Sequence, residues 1–339
     1  IKYNMDFFKD KSILITGGAG FIGSNIVENL LNKNVKFIRV IDNFSSGNIV
    51  NIKPFLNLPN FELIRGDICD FETCVKCMEN IDIVCHQAAV GSVPRSIKNP
   101  LLSHHNNVNG FLNILHAAKE SNIKRFIYAS SSSVYGDEKN LPKVEHKTGN
   151  LLSPYAATKH IDEIYAKIYA DVYGMETIGL RYFNVFGPRQ DPDGPYAAVI
   201  PKFINYILDG KEINVFGDGE QSRDFTYIDN VVQANINAML SNKIPKFGEA
   251  LNIGKAGCFT LNELIVNLRK IMNKEFEVKY VGKRFGDILH SNADISKALE
   301  YINYRPEVNF YDGLIKTAEF FVKKNNESKD QNDKSSFKN

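Results

Sequence analysis

The chain has 339 residues, 43% of them hydrophobic, with 41 Lys and Arg against 39 Asp and Glu for a net charge of +2. That length and composition suit a globular protein, two domains being the first expectation, and an even charge balance without a Lys/Arg cluster gives no electrostatic footprint for nucleic acid or an anionic lipid surface. No apolar run approaches the ~18 residues of a membrane span, and the opening IKYNMDFFKDK has no apolar signal-peptide core, so a soluble cytoplasmic protein without a membrane partner is expected.

In chain order, short β-branched runs at 12–16, 37–41, 61–65, 82–86, 125–129 and 176–180 read as buried strands, with helical patterns at 21–31, 71–78, 108–121 and 154–173 between them. Strict alternation implies right-handed βαβ crossovers and one parallel sheet covered on both faces, a doubly wound α/β fold. Past Arg181 the pattern breaks into FGPRQDPDGP and irregular short elements, while 226–240 and 250–254 look like a return to the sheet. The expected architecture is therefore a sheet domain at 10–185 with returning segments about 223–254, and a smaller, discontinuous C-terminal α/β domain from 186–222 and 255–322. From 323 the chain is almost wholly polar and is expected to form a mobile tail to 339. Five cysteines, Cys69, Cys74, Cys77, Cys85 and Cys258, are too few and irregular for a disulfide framework. Cys74-Val-Lys-Cys77 has redox or zinc spacing but no companion pair, so it reads as ordinary helix cysteines and no metal is expected.

Directly after the first strand, TGGAGFIG satisfies both Gly18-x-Gly20-x-x-Gly23 and Gly17-x-x-Gly20-x-x-Gly23. Glycines here allow a tight turn, close backbone approach to a pyrophosphate, and packing of the following helix on the strand. The second strand ends at Asp42, 19 residues after Gly23, where a carboxylate accepts hydrogen bonds from adenosine ribose and repels a 2′-phosphate, so NAD is expected over NADP. Asp67 and Ile68 after the third strand are placed to hold the adenine, and Ala88 and Ala89 after the fourth permit close approach.

At the end of the fifth strand stands Ser130-Ser131-Ser132-Ser133-Val134-Tyr135-Gly136, followed by Ser153-Pro154-Tyr155-Ala156-Ala157-Thr158-Lys159. Ser153 is a natural N-cap and Pro154 suits the first helical position, so Tyr155 begins a helix and Lys159 lies one turn later on the same face. A phenol with an ordinary pKa near ~10 is a poor base at neutral pH, but a neighbouring ammonium and a nicotinium ring both favour its phenolate. A serine hydroxyl from the strand end can bond the same substrate oxygen, easing proton transfer between alcohol and ketone.

TGGAGFIG, Asp42, SSSSVYG and SPYAATK together resemble the extended short-chain dehydrogenase/reductase family, and within it the nucleotide-sugar epimerases, over roughly residues 10–320. The resemblance implies a Rossmann-like sheet domain with tightly held NAD, a UDP-sugar in the smaller domain, and a supply of sugars for polysaccharide synthesis. It also implies a homodimer through helices 108–121 and 154–173, whose apolar faces could equally pack internally. It makes Tyr155 the base, Lys159 the group that orients ribose and lowers the tyrosine pKa, and a serine the group that polarises O4. Counting back from Val134-Tyr135-Gly136 favours Ser131, with Ser132 and Ser133 also in reach of the sugar. The implied cofactor set adds Phe21, Ile22, Asn43, Asn107 and Tyr182. The family's 4,6-dehydratases and decarboxylases carry acidic residues just before the V-Y-G step, where this chain has only hydroxyls, which implies a 4-epimerase: C4 is oxidised, the sugar rotates, and hydride returns to the other face. A net NAD-linked oxidoreductase and a non-catalytic NAD-binding protein are the competing readings.

By the same resemblance Asn184 binds diphosphate, Val215 and Phe216 flank the nucleobase, Arg223 and Arg284 clamp phosphates, and Asp287 holds a ribose. Gly91-Ser92-Val93-Pro94-Arg95-Ser96, the stretch from Gln190 to Ala198-Val199-Ile200-Pro201, and GDILHSNAD are similar to bacterial epimerases of UDP-N-acetylhexosamines and their uronic acids. Ser291 falls where plain-hexose epimerases carry a bulky aromatic, so a small residue there, like Ala198, leaves volume for an N-acetyl group. Arg95 also reads as a partner for a C6 carboxylate, which keeps uronic acids open beside plain hexoses. His86, His104 and His105 read as hydrogen-bonded structural residues.

Overall fold

Among the residues that the computed structural model describes, 5–193, 197–282 and 289–336, seven parallel strands form one central sheet. The first half runs β1 (Ser12–Thr16), α1 (Phe21–Asn32), β2 (Phe37–Asp42), β3 (Phe61–Arg65), α2 (Phe71–Cys77), β4 (Ile83–His86), α3 (Val93–Lys98), α4 (Pro100–His104), α5 (Gly110–Glu120), β5 (Arg125–Ser131), α6 (Pro154–Tyr173) and β6 (Glu176–Tyr182). The second half runs β7 (Val185–Phe186), α7 (Val199–Leu208), β8 (Ile213–Phe216), β9 (Ser222–Arg223), β10 (Thr226–Tyr227), α8 (Ile228–Leu240), β11 (Glu249–Ile253), β12 (Phe259–Thr260), α9 (Leu261–Met272), β13 (Val278–Val281), α10 (Ser296–Ile302) and α11 (Phe310–Ser336). The sheet order is β3-β2-β1-β4-β5-β6-β11, with β11 returning to the edge beside β6 as the 250–254 run implied.

Every residue of β1 is buried, because a parallel sheet covered on both faces reads as a continuous apolar run. On one face Ile26, Val27 and Leu30 of α1 pack with Val231, Ala234 and Ala238 of α8; on the other, Phe111, Ile114 and Leu115 of α5 pack with Leu14, Val84 and Phe126. The remaining short strands pair outside the main sheet, β13 with β8, β12 with β9 and β10 with β7, alongside α7, α9 and α10.

Two expectations change. The helix expected over 108–121 starts at Gly110, after a π-turn over His105–Asn109, and α3 and α4 were not foreseen. The polar stretch from 323, expected as a mobile tail, continues α11 as helix to Ser336. Leu314, Ala318 and Phe321 bury one face of that helix, and Lys, Glu and Gln, good helix formers, propagate it past its last buried turn. Cys74 and Cys77 are buried on α2, where burial pushes their thiols up to about 12 and about 11. No cluster of His, Cys, Asp and Glu among the described residues could hold a metal.

Candidate active site

Between β1 and β4 the strand order reverses, and the crevice outside their carboxyl ends is where doubly wound folds bind ligands. A cavity of about 300 Å³ opens there, lined by Gly17, Gly20, Phe21, Ile22, Gly23, Asp42, Asn43, Ile68, Ala88, Ala89 and Gly91. Gly17 adopts φ +67°, and a Cβ on it would stand 2.8 Å from the Ala88 backbone; one on Gly23 would stand 2.3 Å from the Gly17 carbonyl oxygen. Those two positions are therefore closed to any side chain. Gly20 is the N-cap of α1 and no side chain caps that helix, so its first-turn N–H groups stand ready for an anion. Beside the turn the Asp42 carboxylate accepts the N–H of Ala19 at 2.9 Å and of Phe44 at 2.8 Å, and burial raises its pKa. An anion-binding helix end and a carboxylate in one cavity fit a dinucleotide's phosphates and ribose.

Several expected cofactor residues act one step back from the cavity. The Asn107 amide accepts the Val90 N–H at 2.7 Å and donates to the Thr158 hydroxyl at 3.1 Å, while Asn106 lines the cavity instead. The Tyr182 hydroxyl donates to Gln87 at 3.0 Å and accepts from Asn235 at 2.9 Å; Gln87 is the one that lines the cavity. Asp67 accepts from the Asn43 amide at 3.0 Å and the Cys69 N–H at 2.8 Å, and Ile68 alone of that pair faces the cleft. Ile41 near the end of β2, with Ser45, Ser46, Gly66 and Val90, completes the lining, and the last four carried no signal beyond following strand ends.

Ser153 caps α6, accepting the Ala156 N–H at 3.1 Å, with Pro154 in the first turn as expected. The Tyr155 N–H is taken by the Ser96 hydroxyl at 3.0 Å, and that hydroxyl donates to the Val93 carbonyl at 2.7 Å, tying α3 to the start of α6. Lys159 is 1% exposed and donates to the Ala129 carbonyl at 3.0 Å and to Asp162 at 3.1 Å. Of the serine run, Ser130 is engaged with Glu163 at 2.5 Å. Ser131 accepts the Ser133 N–H at 3.1 Å, which leaves its own proton to donate, and Ser132 and Ser133 sit half-buried in the turn over Ser132–Tyr135. His86 is structural: its Nδ1 meets the Thr16 hydroxyl at 2.9 Å, and burial pushes its pKa down to about 3.

At the substrate end Ser92 holds φ 101° and caps α3, while Asn184 holds φ 27° and Arg189 φ 70°, non-glycine residues in a costly region of the kind that clusters at ligand sites. Gln190 donates to the Val185 carbonyl at 3.0 Å, and Arg95 is half-buried. Ala198 is the N-cap of α7, which no side chain caps, and Val199 opens it. Arg223 donates to the Ser222 and Leu289 carbonyls at 2.9 and 3.2 Å, and Ser291 is buried with its N–H on the Ser222 carbonyl at 3.1 Å. β8 alternates: the Val215 side chain lies in the core at 1% exposure, and Phe216 is half-buried. Arg284 and Asp287 lie outside the described residues.

The sequence model of the NAD dependent epimerase/dehydratase family matches residues 13–254. Among solved structures, a UDP-N-acetylglucosamine 4-epimerase from Methanobrevibacter ruminantium, in complex with UDP-N-acetylmuramic acid, is 41% identical with a TM-score of 0.88, over 93% of this chain and 99% of that one. A UDP-glucose 4-epimerase from Thermotoga maritima with UDP-glucose is 36% identical with a TM-score of 0.86, over 92% and 99%. A UDP-glucuronic acid 4-epimerase from Bacillus cereus, with UDP-glucuronic acid and NAD, is 34% identical with a TM-score of 0.85, over 92% and 99%.

Proposed function

The chain belongs to the NAD dependent epimerase/dehydratase family, and from that premise we propose that it is a UDP-sugar 4-epimerase acting on UDP-N-acetylhexosamines, interconverting gluco and galacto forms through a transient 4-keto sugar. One observation carries the reading: α6, with Tyr155 and Lys159 on one face, packs against the strand-end turn where Ser131, Ser132 and Ser133 supply hydroxyls and no carboxylate. When bound, NAD supplies a hydride acceptor that gives the same hydride back. Gly17, Gly20 and Gly23 hold its phosphates and Asp42 its adenosine ribose. Tyr155 removes the proton from the C4 hydroxyl and returns it after the sugar turns over. Ser131 donates to O4, and Lys159 binds the neighbouring ribose and favours the phenolate.

The smaller domain, 186–222 and 255–322, is proposed to hold the nucleotide, with Asn184, Arg223, Arg284 and Asp287 on its phosphates and ribose. Small side chains at Ser291 and Ala198 support an acetamido sugar, as does the 41% identity to a UDP-N-acetylglucosamine 4-epimerase. Arg95, half-buried beside strained Ser92, supports a second reading, the corresponding uronic acid. We further propose a homodimer through α5 and α6. The test is incubation with UDP-N-acetylglucosamine, UDP-N-acetylgalactosamine, UDP-glucose and a UDP-N-acetylhexosaminuronic acid, with separation of C4 epimers. Both acetamido sugars should reach one common mixture without net NADH. Turnover confined to plain hexoses or uronic acids would reject the acetamido assignment.

A further inference from the structure

Tyr155, Lys159 and Asp162 lie on one stripe of α6, at i, i+4 and i+7. Asp162 is wholly buried; its Oδ2 accepts from the Lys159 ammonium at 3.1 Å, and its Oδ1 has no hydrogen-bond partner among the described residues. An amide at this position could also accept from Lys159. A carboxylate costs desolvation that an amide avoids, so what it adds is charge.

The charges around it form a closed set. On its own helix stand Lys159 and Glu163; from β6 Arg181 grips Glu163 with two hydrogen bonds of 2.8 Å. Tyr128 from β5 and His86 from β4 also face the group, and burial keeps both neutral, raising the first and lowering the second. Glu163 is thus balanced by Arg181, and Lys159 is balanced by Asp162.

We infer that Asp162 is a positioning residue for Lys159 that offsets part of the ammonium's charge at the cofactor site, and thereby sets whether the oxidised or the reduced nicotinamide is held more tightly. The inference rests on the reading that a nicotinamide cofactor accepts and returns a hydride beside Tyr155 and Lys159. The oxidised ring is cationic and the reduced ring neutral. With Asp162 ionised the Lys159 charge is partly offset and the site tolerates the cation better; with Asp162 neutral an uncompensated ammonium disfavours it. Burial pushes Asp162 up to about 7. The oxidised form is therefore favoured above that pH, and the preference moves toward the reduced form as pH falls through it.

The experiment equilibrates full-length protein with an equal mixture of NAD and NADH well above and well below pH 7, removes free nucleotide, and reads the bound ratio from the absorbance of the reduced ring. Above pH 7, Asp162→Asn should shift the bound ratio toward NADH by about tenfold, the lower end of what one nearby charge does. Below pH 7 the two proteins should converge, and Asp162→Glu, which keeps the charge, should return the wild-type ratio. If Asp162→Asn does not fold, Asp162→Ser makes the same comparison. Equal ratios in wild type and variant above pH 7 would overturn the inference. Failure of wild type to epimerise any UDP-sugar would instead reject the proposed reaction, and the bound ratio would still decide the role of Asp162.

Discussion

Tyr155 is held twice over, its N–H by the Ser96 hydroxyl and its helix by the Ser153 cap, so its phenol is presented by rigid backbone and removal of the hydroxyl alone leaves the site standing. Tyr155→Phe should therefore lower epimerisation on the order of 10²–10⁴-fold while UDP-sugar binding, followed by calorimetry, survives; turnover within a few-fold of wild type would remove Tyr155 as the base. Ser131→Ala should cost less, since it removes one proposed donor to O4 together with the acceptor of the Ser133 N–H; a neutral result would move the role to Ser132 or Ser133. Ser291 carries the sharpest statement about substrate. Overpacking a formed site costs roughly 1–3 kcal/mol, and about 1.36 kcal/mol is tenfold in rate, so Ser291→Tyr should cut turnover of acetamido sugars by tenfold or more and spare UDP-glucose. Equal loss on both substrates, or no loss on the acetamido sugar, would reject Ser291 as a wall of the sugar site.

The turn from β1 to α1 shows how an element builds a binding surface. A Cβ on Gly23 would meet the Gly17 carbonyl oxygen at 2.3 Å and Gly18 Cα at 2.8 Å, backbone that cannot step aside. Gly23→Ala should thus lower the thermal midpoint and yield protein without bound NAD, whereas Gly282→Ala, whose added Cβ meets nothing within 4 Å, should change neither. This turn was readable in the sequence because only glycine satisfies such approaches, and α6 was readable end to end because Ser153, Pro154 and Gly174 mark its termini. The segment 93–109 was not. Two prolines and a polar run hid α3 and α4, and the π-turn at His105–Asn109 shifts helical phase, so that Asn106 faces the cavity and Asn107 does not. Along β8 it is the strand's alternation that turns the Val215 side chain inward and leaves Phe216 half-buried. Asp162 drew no notice because an acidic residue on a helix ordinarily reads as solvated surface.

At the scale of the molecule, α6 has two faces with different partners. Ala156, Lys159, Asp162, Ala166 and Tyr169 are buried against the sheet domain, while Ile164, Ile168 and Val172 form an i, i+4, i+8 stripe at 46%, 45% and 66% exposure. Leu101 on α4 and Ile97 on α3 add apolar surface at 81% and 62% exposure. A second copy related by a two-fold axis presents the same stripe, so each helix supplies what the other needs. The helix that would be covered also carries Tyr155 and Lys159, so dimerisation would brace the proposed reacting groups. Replacing Ile168 and Val172 together by lysine places like charges on both sides of that interface. Light scattering should then show a dimer for wild type and a monomer for the double variant. The variant should keep its bound NAD, because the cofactor cavity is walled by β1, α1, β2 and the segment after β4, but its kcat should fall as α6 loses its support. A monomeric wild type, or a double variant that stays dimeric, would mean that this stripe is not the interface.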